Sequence, residues 1–336
     1  MKIINSYSTI KRLNKDERFR YYRQLWLRVG NYEILTDFPL HLDIELAGVC
    51  NLKCDFCFQN GLITKPLGFM DMDLYTKIID EGVNKGLCAI KLQIRGESFL
   101  HPRLFDCIRY AKDAGIMDVQ ITTNGTLLDN ERIQEIFASG LDGIIFSFDQ
   151  RHLNSYVEKY KVSNYLSLED AINKFLQRKA ELGLSRPWVR MQAAIMEDAE
   201  DSICKTENYL KGKFPLANII SANKVFDFRE DVESYKDLHV NYKMLPCGYL
   251  MQRLSIFWDG SVTTCCMDYN NHFNLGDIKS QTVEDIWLSD QMMQFREIHI
   301  NNKRDTMLVC NQCHNYCLAD KEGIKSKDNS HISDCS

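Results

Sequence analysis

Three cysteines, Cys50, Cys54 and Cys57, fall within one eight-residue stretch at the spacing C-x3-C-x2-C. A fully thiolate-held 4Fe–4S cluster takes four cysteines, so a clustered three leave one iron open to bind and activate a small molecule. The chain must therefore fold so that one loop brings three sulfurs to a common point. Zinc is the competing reading, though its sites usually show paired C-x2-C units or Cys/His mixtures. Scattered buried thiols are the other.

The triad follows a run that alternates at period two, Leu40-His-Leu-Asp-Ile-Glu-Leu, as a strand does. Helical and strand patterns then take turns. Helices are expected at Asp71–Val83, Leu104–Ala114, Asn130–Ser139 and about 168–182. Strands are expected at Ala89–Ile94, Asp118–Thr123, Gly143–Asp149 and Trp188–Ile195, the last clear one of the series. Such alternation predicts an α/β fold with a parallel sheet, whose ligands gather at the carboxyl ends of the strands. Arg95-Gly96-Glu97-Ser98, Thr123-Asn124-Gly125-Thr126, and Ser147 with Asp149 lie at those ends.

In this order the motifs resemble those of the radical S-adenosylmethionine (radical SAM) enzymes. The resemblance covers most of residues 40–200 and implies a partial (β/α)6 TIM-like barrel. It implies a cluster on Cys50, Cys54 and Cys57 whose open iron is chelated by S-adenosylmethionine, which is cleaved to a 5′-deoxyadenosyl radical. Gly96, Glu97 and Ser98 resemble the Gly-Gly-Glu-Pro motif that meets the methionine amine, with Arg95 and Ser98 departing from it. Asn124 matches the Thr-Asn-Gly turn, and Ser147 and Asp149 match a serine–aspartate strand end near the ribose. Arg190 and Gln192, expected on the sixth strand of that barrel, are expected to face the substrate space, Arg190 in a catalytic role and Gln192 in cofactor binding, with ordinary strand polarity as the competing reading.

A second cysteine field follows. Asp259-Gly260 between two β-rich runs predicts a hairpin that brings Cys247 and Cys265 together. Cys310-Asn-Gln-Cys313 is a C-x2-C unit able to hold a metal from one turn, zinc included. The region resembles the SPASM and twitch auxiliary-cluster domains of radical SAM enzymes. Its ligand count fits the shorter twitch pattern, one cluster on Cys247, Cys265, Cys310 and Cys313, with Cys266 and Cys317 as possible substitutes. Cys335 lies in a polar tail.

The expected organisation is a helical extension at 1–38, the barrel at 39–215, a small α+β cluster domain at 216–318 and a polar tail at 319–336. Two 4Fe–4S clusters and S-adenosylmethionine are the implied cofactors. The resemblance implies oxidation of a small polyol, sugar or aminocyclitol, with the second cluster accepting an electron. A peptide-modifying activity and a non-catalytic iron–sulfur protein are the alternatives.

Composition narrows the class. A net charge of −5 gives no nucleic-acid footprint. The sequence has no apolar run long enough to span a membrane. Thirteen cysteines at ligand-like spacings, without a signal-peptide pattern, point to reduced thiolates in cytoplasm. An electron donor such as flavodoxin or ferredoxin is the expected partner, with a small molecule or peptide as substrate.

Overall fold

The computed structural model describes residues 3–4, 15–54, 57–63, 67–148, 165–195, 202–224, 242–244, 246–313 and 317–319. Six parallel strands form the barrel sheet: β1 (His41–Ile44), β2 (Ala89–Lys91), β3 (Asp118–Thr123), β4 (Gly143–Ser147), β5 (Trp188–Ile195) and β6 (Ile219–Lys224). Between them run α1 (Met72–Lys85), α2 (Leu104–Ala114), α3 (Asn130–Ala138), α4 (Tyr165–Glu181) and α5 (Ser202–Lys213). Local signals set the helix ends. Asp71 caps α1 through the Asp73 N–H, and Gly86 and Gly115 end α1 and α2 at positive φ.

The register explains how the sheet divides its two faces. Asp43 pairs with Lys91, and Lys91 with Gln120. Ser147 pairs with Gln192, and Gln192 with Ser221. Paired residues point to the same side of a sheet, so these polar side chains share one face. The intervening residues, among them Leu42, Ile90, Val119, Ile144, Val189 and Met191, are fully buried beneath the helices. Fully burying one such side chain contributes roughly 1.5–3 kcal/mol. The sheet therefore keeps an apolar outer face and a polar inner one.

Two features differ from the sequence expectation. The parallel series has a sixth strand, β6, past the boundary expected at 215. Arg190 and Gln192 thus lie on the fifth strand of six. The C-terminal hairpin also joins the same sheet. Its strands are β7 (Arg253–Ile256), β8 (Ser261–Thr263) and β9 (Gly276–Asp277). β7 pairs parallel with β1, and β8 and β9 follow antiparallel. The sheet thus has nine strands in the order β9-β8-β7-β1-β2-β3-β4-β5-β6. Gly260 turns the hairpin at φ +92°, as the Asp-Gly pair predicts.

α6 (Val283–Trp287) and α7 (Asp290–Ile300) complete the C-terminal region. A helix at Lys15–Gly30 covers the end where the strands begin. Its Trp26 meets the His41 ring edge-on at 6.0 Å, and its carbonyl accepts from Gln252. No helix among the described residues is long and apolar enough to cross a membrane.

Candidate active site and cluster sites

The first cysteine loop leaves β1 and is pinned by residues well separated in sequence. Gly96 presses against it so closely that a Cβ would stand 2.1 Å from the Ala47 carbonyl oxygen and 2.4 Å from that of Val49. Only glycine fits there. The Glu97 N–H donates to the Val49 carbonyl at 2.9 Å. Gln59, just past Cys57, donates to the carbonyls of Gly48 and Arg95 at 3.1 and 2.7 Å.

Glu97 is 2% exposed, and burial raises its pKa above the usual carboxylate value. One oxygen accepts from the Phe99 N–H and the Thr123 hydroxyl, the other from the Asn124 N–H. A carboxylate has about four acceptor sites, so these three donors leave room for one more. Asn124 faces the cluster loop. Its Nδ2 donates to Asn51 Oδ1 at 2.9 Å and lies 4.0 Å from the Cys50 sulfur. Cys50, Gly96, Glu97 and Asn124 are therefore brought together.

Ser98 departs from the expectation. Its hydroxyl turns into the sheet, donating to the Leu92 and Thr122 carbonyls, and the residue is 1% exposed. It braces the Arg95–Glu97 turn and presents no side chain to a ligand. Ser147 is exposed at the end of β4, opposite Gln192 on β5. Arg190 and Gln192 are half-buried on the inner face, and Arg190 Nε donates to the Ser221 hydroxyl at 2.8 Å. Burial pulls the Arg190 pKa down from its ordinary value. Asp149 lies outside the described residues.

Arg95, the departure from the glycine motif, has a role that local spacing could not show. Its guanidinium holds both oxygens of the fully buried Glu45, at 2.7 and 2.6 Å, and donates to the Tyr269 carbonyl. It also stacks on the Phe257 ring, 3.9 Å from the centroid. Tyr269 in turn stacks on Phe58, beside Cys57, at 5.0 Å. The segment that follows Cys265 and Cys266 thus packs directly on the Cys50–Cys57 loop.

In the second cysteine field the thiols lie near enough to shift one another's titration. Burial raises the Cys265 thiol well above its ordinary value, and Cys266, Cys247, Cys310 and Cys313 raise it further. Burial and Cys313 push Cys247 up to about 11, while the Arg304 guanidinium opposes the shift. Burial, Cys247 and Cys313 push Cys310 to about 12. Cys266 acts on Cys265 and also feels the barrel side: burial and Asp43 raise its pKa, against Lys91 and Arg253. Only the backbone of Cys317 is described, paired with Met244, and Cys335 lies outside the described residues. Cys88 and Cys107 are buried core thiols.

Buried thiols that raise one another's pKa become thiolates readily only when bound metal supplies positive charge. Among the described residues no three His, Cys, Asp or Glu side chains converge to hold a single metal ion. A cubane needs no such convergence, because each thiolate binds a different iron. By donor type and number, three thiols in one loop and four in the second field suit 4Fe–4S clusters. Sequence reasoning missed the surroundings of the second. The Tyr32 hydroxyl donates to the Cys247 carbonyl at 2.7 Å, Arg304 Nη2 donates to the Cys313 carbonyl at 2.5 Å, and His299 accepts from the Cys247 N–H at 3.1 Å. No local pattern marks these three.

A parallel β/α sheet that presents a three-cysteine loop beyond its first strand, with the segment after Cys265 and Cys266 packed on that loop, is the frame of an iron–sulfur protein. Residues 44–180 match the radical SAM superfamily model, and residues 247–314 match that of the SPASM iron–sulfur cluster-binding domain. The chain belongs to the radical SAM superfamily and carries a SPASM domain. Its cofactors are S-adenosylmethionine, a 4Fe–4S cluster and an auxiliary cluster.

The tungsten-containing aldehyde ferredoxin oxidoreductase cofactor-modifying protein of Pyrococcus furiosus is 26% identical over 303 residues, 78% of this chain and 84% of that protein. A probable GTP 3′,8-cyclase of Methanococcus maripaludis is 32% identical over 142 residues, 42% of this chain and 46% of its own length. Among solved structures, BtrN in complex with AdoMet and 2-DOIA matches at TM-score 0.55 and 15% identity, over 84% of this chain and 96% of BtrN. Streptococcus suis SuiB bound to precursor peptide SuiA matches at TM-score 0.59 and 15% identity, over 84% of this chain and 72% of SuiB. At such identities these two likenesses show the fold.

Proposed function

We propose that this radical SAM enzyme oxidises a carbon that bears a hydroxyl, in a small polar molecule bound against the inner face of the barrel. The observation that carries this reading is the chemistry of that face. It holds Lys91, Gln120, Arg190 and Gln192 half-buried, and it keeps buried hydroxyls without partners among the described residues, Thr122 Oγ1 and Ser255 Oγ. Buried polar groups are normally hydrogen-bonded. Mixed donors and acceptors left unused suit a polyol, sugar or aminocyclitol.

When bound, S-adenosylmethionine and the first cluster supply a radical that removes hydrogen, and the auxiliary cluster supplies an electron acceptor. The chain's own groups position the reactants. The remaining acceptor site on Glu97 suits the methionine ammonium, with Gly96 allowing close backbone approach. Asn124, Ser147 and Asp149 suit the rest of the nucleoside. Arg190 stays charged, so it would serve as an electrostatic partner for the alkoxide that develops as the hydroxyl proton passes to solvent water, and not as a base. Gln192 would fix the neighbouring hydroxyl. Cys247, Cys265, Cys310 and Cys313 are the proposed auxiliary ligands, in the one-cluster twitch arrangement. A flavodoxin or ferredoxin is the proposed donor to the first cluster.

The match to BtrN, solved with 2-DOIA, over nearly that whole chain supports the small-molecule reading. A second reading draws on the Pyrococcus furiosus relative, named for modifying a cofactor and matched over 84% of its length. On that reading the substrate belongs to another enzyme's cofactor. A peptide substrate is the third, by likeness to SuiB with its precursor peptide. The deciding experiment incubates reconstituted protein, S-adenosylmethionine and dithionite with 2-DOIA, a panel of polyols, or short peptides. Polyol-dependent 5′-deoxyadenosine, matched one for one by a new carbonyl, supports the first reading. Stimulation by peptides alone would overturn it.

A further inference from the structure

His299 lies in the last turn of α7 and is 1% exposed. Its Nδ1 accepts the Cys247 backbone N–H at 3.1 Å. A ring nitrogen that accepts carries no proton, so the imidazole is neutral and its proton sits on Nε2. That Nε2 is buried and has no hydrogen-bond partner among the described residues. The contact sets the imidazole beside Cys247, with Nε2 on the ring edge away from that backbone N–H. A buried donor without an acceptor is costly, and folds that keep one usually meet it with a ligand or water.

The groups around it share one electrostatic sense. The Arg304 guanidinium is 1% exposed and donates to the Cys313 carbonyl. Tyr32 donates to the Cys247 carbonyl at 2.7 Å. Four thiolates on a 4Fe–4S core make an anionic assembly, more so after reduction by one electron. Hydrogen bonds to its sulfurs and nearby positive charge favour the reduced form and so raise the reduction potential.

We propose that His299 donates its Nε2–H to a sulfur of the auxiliary cluster and, together with the Arg304 charge, raises that cluster's reduction potential. His299 is then a positioning residue, acting on electron transfer through the cluster. The proposal rests on reading Cys247, Cys265, Cys310 and Cys313 as an auxiliary cluster site, and it gives that site the means to act as an electron acceptor.

The test uses full-length protein with Cys50, Cys54 and Cys57 replaced by alanine, so that only the auxiliary site is observed. After anaerobic reconstitution, a potentiometric titration read by EPR compares His299 with His299→Leu. The reduced-to-oxidised ratio at fixed potential is expected to fall about tenfold in the leucine variant, a shift of about 59 mV for one electron. His299→Gln, which keeps an acceptor and a donor, should recover part of it. In protein labelled with 15N-histidine, pulsed EPR of the reduced cluster should show a nitrogen coupling. An unchanged midpoint at full iron content, or no histidine coupling, overturns the proposal. Should the leucine variant lose its iron, the labelled unsubstituted site decides alone. A triple-alanine protein that holds no iron would instead overturn the reading of the site.

Discussion

The Arg95 guanidinium binds both carboxylate oxygens of Glu45, at 2.7 and 2.6 Å, with both side chains out of water. Glu45 stands just past β1, before the first cysteine loop, and Arg95 opens the turn that contacts it. The third donor of Arg95 reaches the Tyr269 carbonyl, close behind the hairpin cysteines. One buried ion pair thus ties the two cluster-bearing segments together.

Arg95→Met should leave the fully buried Glu45 without its guanidinium, with only the N–H groups of position 95 and Trp258 still donating to it. Removing one partner of a buried pair costs roughly 3–5 kcal/mol. Replacing both, as Glu45→Gln with Arg95→Met, should cost less than Arg95→Met alone. Thermal unfolding of the three proteins under anaerobic conditions checks the order. A double variant less stable than the single one would show that the pair is not the source of the effect.

Gly96→Ala should fail at the first site while sparing the second. The added methyl would sit 2.1 Å from the Ala47 carbonyl, so the loop carrying Cys50 must move. S-adenosylmethionine cleavage should fall by a factor of about a hundred or more, as misplacement by about 1 Å commonly does. The auxiliary cluster's EPR signal should be unchanged. Near-normal cleavage would contradict the packing described.

Asp43 gives the pH dependence a sign. Burial alone would raise its pKa, but the Arg253 guanidinium and the bond to His41 outweigh burial and hold it well below the carboxylate range. Through the window between the folded and unfolded values the unfolded chain binds more protons, so stability rises with pH there. Asp43→Asn should therefore cost on the order of 3 kcal/mol at neutral pH. The gap between variant and parent should narrow as pH falls below the ordinary carboxylate value. Urea unfolding across a pH series measures it, and a gap that widens in acid would reverse the assignment.

The sequence carried the parts of this architecture that depend on near neighbours. A period-two run marked β1, strand-like runs between helical patterns marked the next four barrel strands, and Asp259-Gly260 marked the hairpin. The Cys50 triad and the Gly96, Glu97 and Asn124 turns lie within a few residues of those strand ends. β6 escaped notice because Ile219-Ile-Ser-Ala-Asn-Lys224 mixes apolar, small and polar residues without a clear alternation. Arg95 read only as a departure from a glycine motif. Its partners stand 50 and 174 residues away, and no local pattern encodes such pairings. Tyr32, His299 and Arg304 were hidden for the same reason. The joining of β7 to β1, which merges hairpin and barrel into one sheet, is likewise a long-range choice.

The central claim is that one chain holds two separate clusters, and that only the Cys50 loop cleaves S-adenosylmethionine. Iron content and 5′-deoxyadenosine formation, measured together after anaerobic reconstitution, test it most directly. About eight irons per chain are expected, at four per cluster. Replacing Cys50, Cys54 and Cys57 by alanine should leave about four irons and no cleavage. Replacing Cys310 and Cys313 should also leave about four irons, now those of the cleaving site. About twelve irons in the unsubstituted protein, or cleavage that survives loss of the Cys50 triad, would contradict the account.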